Sequence, residues 1–141
     1  MIQFNFPTVL LFGEHSIKKL PSVMKEKNLG RLLLVTDSGL VEIGLADEVI
    51  KELTSSELKI NIFDEVHPNP LEEDVIRGVE AYQSDDYDGI IALGGGSAMD
   101  VAKTIRFMVV HQPPLSQYDD AIGGDVKIVN PLPPLFAIPT T

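Results

Sequence analysis

Residues 90–103 read Ile-Ile-Ala-Leu-Gly-Gly-Gly-Ser-Ala-Met-Asp-Val-Ala-Lys. The first four residues are short and apolar, which is typical of a strand that is buried on both faces of a sheet. Gly94, Gly95 and Gly96 have no side chains, so a ligand can approach their backbone closely. Ser97 can cap a following helix, and the free N–H groups of a helix N-terminus suit a phosphate. The stretch therefore predicts a strand, a glycine turn and a helix that together contact a phosphate.

A tight turn with nothing bound is the alternative interpretation of this glycine stretch. The stretch does not match the G-x-G-x-x-G fingerprint of the dinucleotide-binding fold, and no Lys-Ser/Thr pair follows it as in a P-loop. Three consecutive glycines nevertheless exceed what a tight turn needs, so we favour contact with a phosphate over an empty turn.

Composition and charge limit the class of protein. The chain has 141 residues, enough for one domain, and a formal net charge of −10. This charge disfavours binding to nucleic acid or to an anionic membrane, where neutralisation of phosphates supplies much of the affinity. The sequence contains no Cys, which excludes disulfides and thiolate ligands. No apolar run approaches the ~20 residues of a membrane span, and we expect a cytoplasmic protein.

Strand-like and helix-like patterns alternate along the chain. Strands are predicted at residues 9–12, 31–36, 59–63, 90–93 and 135–138, and helices at 16–27, 40–53, 71–82 and 97–110. This alternation predicts an α/β fold with a parallel sheet covered by helices on both faces. Residues 112–134 are rich in Pro and Gly and are predicted to form a long loop.

Candidate ligand-binding residues follow the carboxyl ends of the predicted strands, where parallel α/β sheets bind ligands. These candidates are Asp37, the Asn69-Pro70 turn, the glycine loop and Thr140-Thr141. Asp37 suits hydrogen bonds to a ribose diol and would repel a 2′-phosphate, while a turn or helix cap is an equally supported alternative. Asp37 precedes the glycines, whereas the acidic residue of the common fingerprint follows them by about 20 residues. If both bind one cofactor, the strand order differs from the common dinucleotide-binding arrangement.

Other polar residues carry weaker signals. Asp100 follows Ser97 by three residues, so both lie on one side of the predicted helical turn, where Asp100 can orient a ligand or complement the helix dipole. His15, His67 and His111 have no histidine partner at helical spacing, and each is predicted to be a surface or loop residue. The sequence shows no catalytic triad and no metal-ligand spacing, so we assign no catalytic residue and no metal ligand in this chain.

Two longer motifs resemble a known family. They are Gly94-Gly-Gly-Ser-Ala-Met-Asp-Val-Ala-Lys103 and Leu132-Pro-Pro-Leu-Phe-Ala-Ile-Pro-Thr-Thr141, and they look like the N-terminal domain of the iron-containing (group III) alcohol dehydrogenases. Phe12-Gly13, Asp37 and His67-Pro-Asn-Pro70 fit the same family. The resemblance covers all 141 residues. It implies that residues 1–141 form a Rossmann-like, dehydroquinate-synthase-like NAD(P)-binding domain of a longer two-domain enzyme, without the C-terminal helical metal domain.

The resemblance also implies roles for single residues. Gly95, Gly96 and Ser97, next to Gly94, would hold the pyrophosphate of the cofactor. The remaining assignments are Asp37 at the adenosine ribose, Asn69 in the same groove, Asp100 toward the nicotinamide, and Thr140 and Thr141 at the adenine side. We therefore expect NAD, with NADP less favoured. Iron or another divalent metal would be held in the C-terminal domain, where it acts as a Lewis acid on the alcohol oxygen.

The function that the resemblance implies is hydride transfer between an alcohol or aldehyde substrate and NAD(P). This chain alone is predicted to bind cofactor weakly and to catalyse nothing, because the metal and half of the cofactor cleft lie outside it. A glycerol-dehydrogenase or dehydroquinate-synthase relative is one alternative, and a non-catalytic nucleotide-binding domain is another. The sequence does not determine the alcohol, the metal or whether a homo-oligomer forms.

Overall fold

Four parallel strands form a sheet in the computed structural model, which describes residues 8–54 and 57–141. The strands are β1 (Arg31–Val35), β2 (Lys59–Phe63), β3 (Gly89–Gly94) and β4 (Leu135–Pro139). Their order across the sheet is β2-β1-β3-β4, and each neighbouring pair is parallel. The predicted α/β fold with a parallel sheet is confirmed.

Five α-helices accompany these strands within the described residues, one before β1 and four in the connections between strands. They are α1 (Leu20–Glu26), α2 (Ser38–Glu42), α3 (Leu45–Leu53), α4 (Glu72–Gln83) and α5 (Gly96–Met108). The predicted helix over residues 40–53 begins earlier, at Ser38, and divides at Gly44, whose φ of +82° does not continue a right-handed helix. Residues 112–134 form a loop with three short 3-10 turns at Leu115–Tyr118, Asp120–Ile122 and Gly124–Lys127.

The central strands β1 and β3 are buried on both faces, and alternate side chains belong to two cores. Leu33 and Val35 of β1 pack with residues of α4 and α5, whereas Leu32 and Leu34 pack with residues of α1 and α3. All four side chains are at most 2% exposed. Because successive residues of a strand point to opposite faces, a continuous apolar run is needed to cover both, and β1 provides one.

The predicted strand at residues 9–12 is wrong. These residues lie outside every strand of the described chain, and Val9, Leu10 and Phe12 are 84%, 83% and 96% exposed. A strand needs a neighbour that takes up its backbone hydrogen bonds, and none of the four strands pairs with this segment. The apolar composition of the segment is typical of a buried strand. A strand also needs a neighbouring strand to pair with, and composition alone does not show whether one is present.

His111 lies in a loop, as the prediction of a surface or loop residue allows, but its side chain is buried. It follows α5 and is only 8% exposed. Its Nδ1 donates to the backbone oxygen of Phe107 at 2.9 Å, and its ring stacks on the Phe107 ring with 4.4 Å between centroids. The interior accepts this imidazole because a carbonyl satisfies its donor and an aromatic ring covers its face.

The strand order produces a crevice between β1 and β3. The connection after β1 leads to β2 at one edge of the sheet, whereas the connection after β3 leads to β4 at the other edge. Open α/β sheets bind ligands where the direction of the connections reverses in this way. The order β2-β1-β3-β4 differs from that of the common dinucleotide-binding fold, in agreement with the prediction from the placement of Asp37 before the glycines.

Candidate functional site

A cleft of about 770 Å³ opens at the carboxyl ends of β1, β2 and β3. It is lined by Asp37, Ser38, Gly39, residues 64–68, Arg77 and residues 95–98. We call residues 95–98, which follow β3, the glycine wall. We call Asp37, Asp64 and Glu65, which follow β1 and β2, the acidic wall. The two walls differ in charge and in the way that their backbone is held.

The glycine wall depends on the residue that precedes it. Gly94 ends β3 with a φ of +142°, and a Cβ added there would lie 2.9 Å from the Cβ of Ala98. Any other residue at this position is therefore strained and also collides with α5. The tight turn brings the start of α5 directly over the end of β3, and α5 points its N-terminus into the cleft.

The backbone at Gly96 is open to a ligand. A Cβ added at Gly96 would meet no other atom within 4 Å. Gly96 is also the first residue of α5, where backbone N–H groups have no partner within the helix. Free N–H groups, the positive end of a helix dipole and space above them match the chemistry of a pyrophosphate.

Ser97 has a different role from the predicted helix cap. The N-cap of α5 is Gly95, and Ser97 lies within the first turn of the helix. The hydroxyl of Ser97 donates to the backbone oxygen of Pro68 at 2.7 Å. This hydrogen bond ties the glycine wall to the segment that follows β2.

Asp37 is both a helix cap and a cleft residue. Its Oδ1 accepts a hydrogen bond from the backbone N–H of Leu40 at 3.0 Å, which caps α2. Its backbone pairs with Glu65 in an antiparallel bridge, and bridged residues lie about 5 Å apart between Cα atoms. Asp37 and Glu65 are therefore adjacent residues of the acidic wall.

The acidic wall is anchored by Asp74 of α4, whose side chain is fully buried. Asp74 accepts hydrogen bonds from the backbone N–H groups of His67 and Leu71 at 3.2 Å each. It also pairs at 2.7 Å with Nδ1 of His67 and with Nη2 of Arg77. Burial raises the pKa of Asp74, but the hydrogen bonds from His67 and Leu71 outweigh it, so the pKa is lowered from 3.8. Asp74 is charged near neutral pH and holds His67 and Arg77 at the cleft.

Arg77 contributes a guanidinium to the cleft lining. Its Nε lies 2.7 Å from Oε2 of Glu65, an ion pair whose angle is poor for a hydrogen bond. Its Nη2 pairs with Asp74 at 2.7 Å, and its Nη1 lies 3.9 Å from Oε2 of Glu73. Three carboxylates therefore surround this cation.

The structure brings most of the predicted site residues together. Asp37, Gly95, Gly96 and Ser97 line the cleft. The backbone N–H of Thr140 donates to the oxygen of Gly94 at 3.0 Å. Oγ1 of Thr141 lies 3.6 Å from the place of a Cβ on Gly95. These threonines therefore extend the glycine wall.

Asn69 and Asp100 lie apart from the cleft lining. Both side chains are exposed, and neither contributes to the lining. Asp100 is on the first turns of α5, and its backbone oxygen accepts the hydroxyl of Thr104 at 2.8 Å. Asn69 directly follows Pro68, the residue whose carbonyl accepts from Ser97. Their predicted contacts with a cofactor stay predictions.

Sequence reasoning missed three charged residues of the cleft. Asp64 and Glu65 directly follow β2, so the argument that selected Asp37 at the end of β1 applies to them as well. Arg77 has no such signal, because it lies in the middle of α4. Its arrival at the cleft depends on how α4 packs against the sheet.

Comparison with known proteins agrees with this architecture. A model of the family described as iron-containing alcohol dehydrogenase matches residues 7–141. The chain belongs to this family. The resemblance read from the glycine and proline-threonine motifs is thereby confirmed, and the sheet described above is the Rossmann-like N-terminal part of the family fold.

Individual relatives show how much of the family fold is present. The chain is 37% identical over 138 residues to the choline dehydrogenase of Bacillus subtilis, covering 98% of this chain and 34% of that protein. It is 29% identical over 141 residues to the NAD-dependent methanol dehydrogenase of Bacillus methanolicus, covering 100% and 36%. A solved 1,3-propanediol oxidoreductase matches the structure with a TM-score of 0.87 at 32% identity, covering 100% and 36%. The chain thus spans about a third of the length of these relatives.

The described residues do not fit the metal that the family name implies. Across residues 8–54 and 57–141, no three His, Asp or Glu side chains are grouped so that they could hold a metal ion. The helices of the same residues are too short or too polar to cross a lipid bilayer.

Proposed function

We propose that this cleft binds NAD and that the chain is the cofactor-binding part of an alcohol dehydrogenase. The open backbone at Gly96 carries the proposal, because nothing lies within 4 Å of the place that a side chain would fill there. A pyrophosphate placed over Gly96 receives N–H groups from the start of α5. The position of the cleft at the β1/β3 crevice, where α/β sheets bind nucleotides, supports the same conclusion.

The acidic wall supports the choice of NAD over NADP. Oδ1 of Asp37 is occupied by Leu40, but Oδ2 faces the glycine wall, 3.6 Å from the place of a Cβ on Gly94. A ribose diol can donate to this oxygen. A 2′-phosphate at the same place would meet the negative charges of Asp37 and Glu65.

The activity of the whole protein follows from family membership and is part of the proposal. NAD, when bound, would accept a hydride from the carbon of an alcohol, and loss of the hydroxyl proton would complete the oxidation to the aldehyde. Iron or another divalent metal would be held outside this chain. Localisation in the cytoplasm and the lack of catalysis by these 141 residues alone stay predictions.

Calorimetric titration of the chain with NADH tests the proposal. We expect binding by the native sequence and at least about a tenfold loss with Gly96→Val, since the new side chain fills the space above the helix N-terminus. Thr104→Val is the matched control, because it puts the same side chain on α5 outside this cleft. A folded chain that binds no NADH at millimolar concentration, or a Gly96→Val variant with native affinity, would contradict the proposal.

The same titration with NADPH tests the role of Asp37. Asp37→Asn removes the charge but retains a good N-cap for α2. We expect the affinity for NADPH relative to NADH to rise by about tenfold, the effect of relieving one close like-charge contact. An unchanged ratio would remove Asp37 as a determinant of selectivity.

A further inference from the structure

A positive charge in a nucleotide cleft normally attracts phosphate. Arg77 lies in the cleft lining, yet each of its three guanidinium nitrogens faces a carboxylate: Glu65 at 2.7 Å, Asp74 at 2.7 Å and Glu73 at 3.9 Å. The cation is thus outnumbered by the anions that surround it, and its Nη2 donates a hydrogen bond to Asp74.

These three carboxylates are not equivalent. Asp74 is fully buried and also accepts three hydrogen bonds from His67 and Leu71, so its contact with Arg77 belongs to a structural network. Glu73 does not line the cleft. Glu65 does line it and is 54% exposed, and Arg77 keeps its contact with Asp74 when the charge of Glu65 is removed.

Glu65 is also the neighbour of the residue that faces the ribose. Its backbone pairs with that of Asp37, and both side chains line the same wall. The Glu65–Arg77 ion pair therefore lies on the wall of the cleft to which Asp37, the proposed ribose-binding residue, also belongs.

We infer that Glu65 is a second determinant of cofactor selectivity, because it holds Arg77 in an ion pair beside the 2′ position and so keeps this cation from binding a 2′-phosphate. The inference rests on the proposed function, since it concerns which cofactor the same cleft accepts. The inference also assigns to Arg77 the capacity to bind a phosphate, which the ion pair with Glu65 prevents in the native chain.

The experiment compares two probes that differ only in the 2′-phosphate, 5′-ADP and 2′,5′-ADP. Amide chemical shifts of the chain are followed by NMR during titration, and the dispersion of the free spectrum shows that each variant is folded. Glu65→Gln keeps the shape of the side chain and removes its charge. We expect the affinity for 2′,5′-ADP relative to that for 5′-ADP to rise by about tenfold, as a charge-assisted contact with Arg77 would produce.

Two further variants separate the release of Arg77 from a simple loss of repulsion. In the double variant Glu65→Gln/Arg77→Gln, the new amide can still donate to Asp74, but no cation is present, and the gain should disappear. Glu72→Gln removes a charge from an exposed position on the same helix, outside the ion pairs of Arg77, and should change neither affinity.

Each outcome bears on one claim. No binding of 5′-ADP by the folded native chain would count against the proposed function. Binding of 5′-ADP without a gain for 2′,5′-ADP in Glu65→Gln would overturn the inference alone. A gain that persists in the double variant would overturn the role of Arg77, and native preference for 2′,5′-ADP would show that Glu65 masks nothing.

Discussion

The two walls of the cleft differ in the groups that they offer to a ligand and in the contacts that hold them in place. The glycine wall has no charged side chain and offers its backbone, held by the strained turn at Gly94 and by the start of α5. The acidic wall offers carboxylates from Asp37, Asp64 and Glu65, and its position depends on a network of side chains around Asp74.

This difference matches the two parts of the proposed ligand, the pyrophosphate and the ribose, that contact the two walls. A pyrophosphate is an anion and binds to backbone N–H groups, whereas ribose hydroxyls are neutral donors that bind to carboxylates. The net charge of −10 is therefore compatible with a phosphate ligand. The helix N-terminus provides a local positive field, which the acidic wall opposes only on the ribose side.

The largest expected effect is at the turn that supports the glycine wall. Gly94→Val should lower the free energy of unfolding by about 3 kcal/mol or more, because it combines a strained φ with a collision against Ala98. Urea unfolding measures the loss. Gly96→Val, two residues away in open space, should cost no more than about 1 kcal/mol. Equal losses in the two variants would show that the turn is not the critical feature.

The acidic wall should respond to loss of its buried anchor. Asp74→Asn removes the buried anion that pairs with both Arg77 and His67 and should lower the free energy of unfolding by about 2 kcal/mol near neutral pH. Glu80→Gln, on the exposed side of the same helix, should change it by no more than about 0.5 kcal/mol.

The effect of Asp74→Asn should depend on pH. The pKa of Asp74 in the folded chain is lowered from 3.8, so the stability that its charge contributes is fully present above that value and is lost as the pH falls through the folded pKa. The difference in the free energy of unfolding between the native chain and Asp74→Asn should therefore stay constant well above pH 3.8 and narrow as the pH falls through 3.8 and below. A constant difference over this range would mean that the carboxylate charge contributes nothing.

The smallest expected effect is at the hydrogen bond that joins the walls. Ser97→Ala removes the donor to Pro68 and should cost about 1 kcal/mol. Amide hydrogen exchange of residues 64–68 should become faster, because their segment loses its tie to α5. Ser84→Ala is the matched control, since that hydroxyl donates at 2.7 Å within its own helix end. Similar rates of amide exchange at residues 64–68 in both variants would mean that other contacts hold the two walls together.

Local patterns were sufficient for the elements that are buried on both faces. The apolar run of β1 and the run before the glycines were predicted as strands, because a strand between two layers of helices has to be apolar at every position. The same reasoning failed at residues 9–12, where an apolar segment lies exposed outside the sheet. Whether residues 9–12 form a strand depends on a neighbouring strand, and the sequence of the segment itself does not show whether that neighbour is present.

The sequence by itself determined the α/β class, the glycine turn at residues 94–96 and the family, because each is written in contiguous residues with a short-range physical meaning. Only the tertiary structure decided that Ser97 reaches Pro68, that Asp74 is buried and that Arg77 meets Glu65 in the cleft. These contacts join α4, α5 and the segment after β2 across the carboxyl edge of the sheet. The packing of helices against strands determines which residues meet in these contacts, so a local sequence pattern could not predict them.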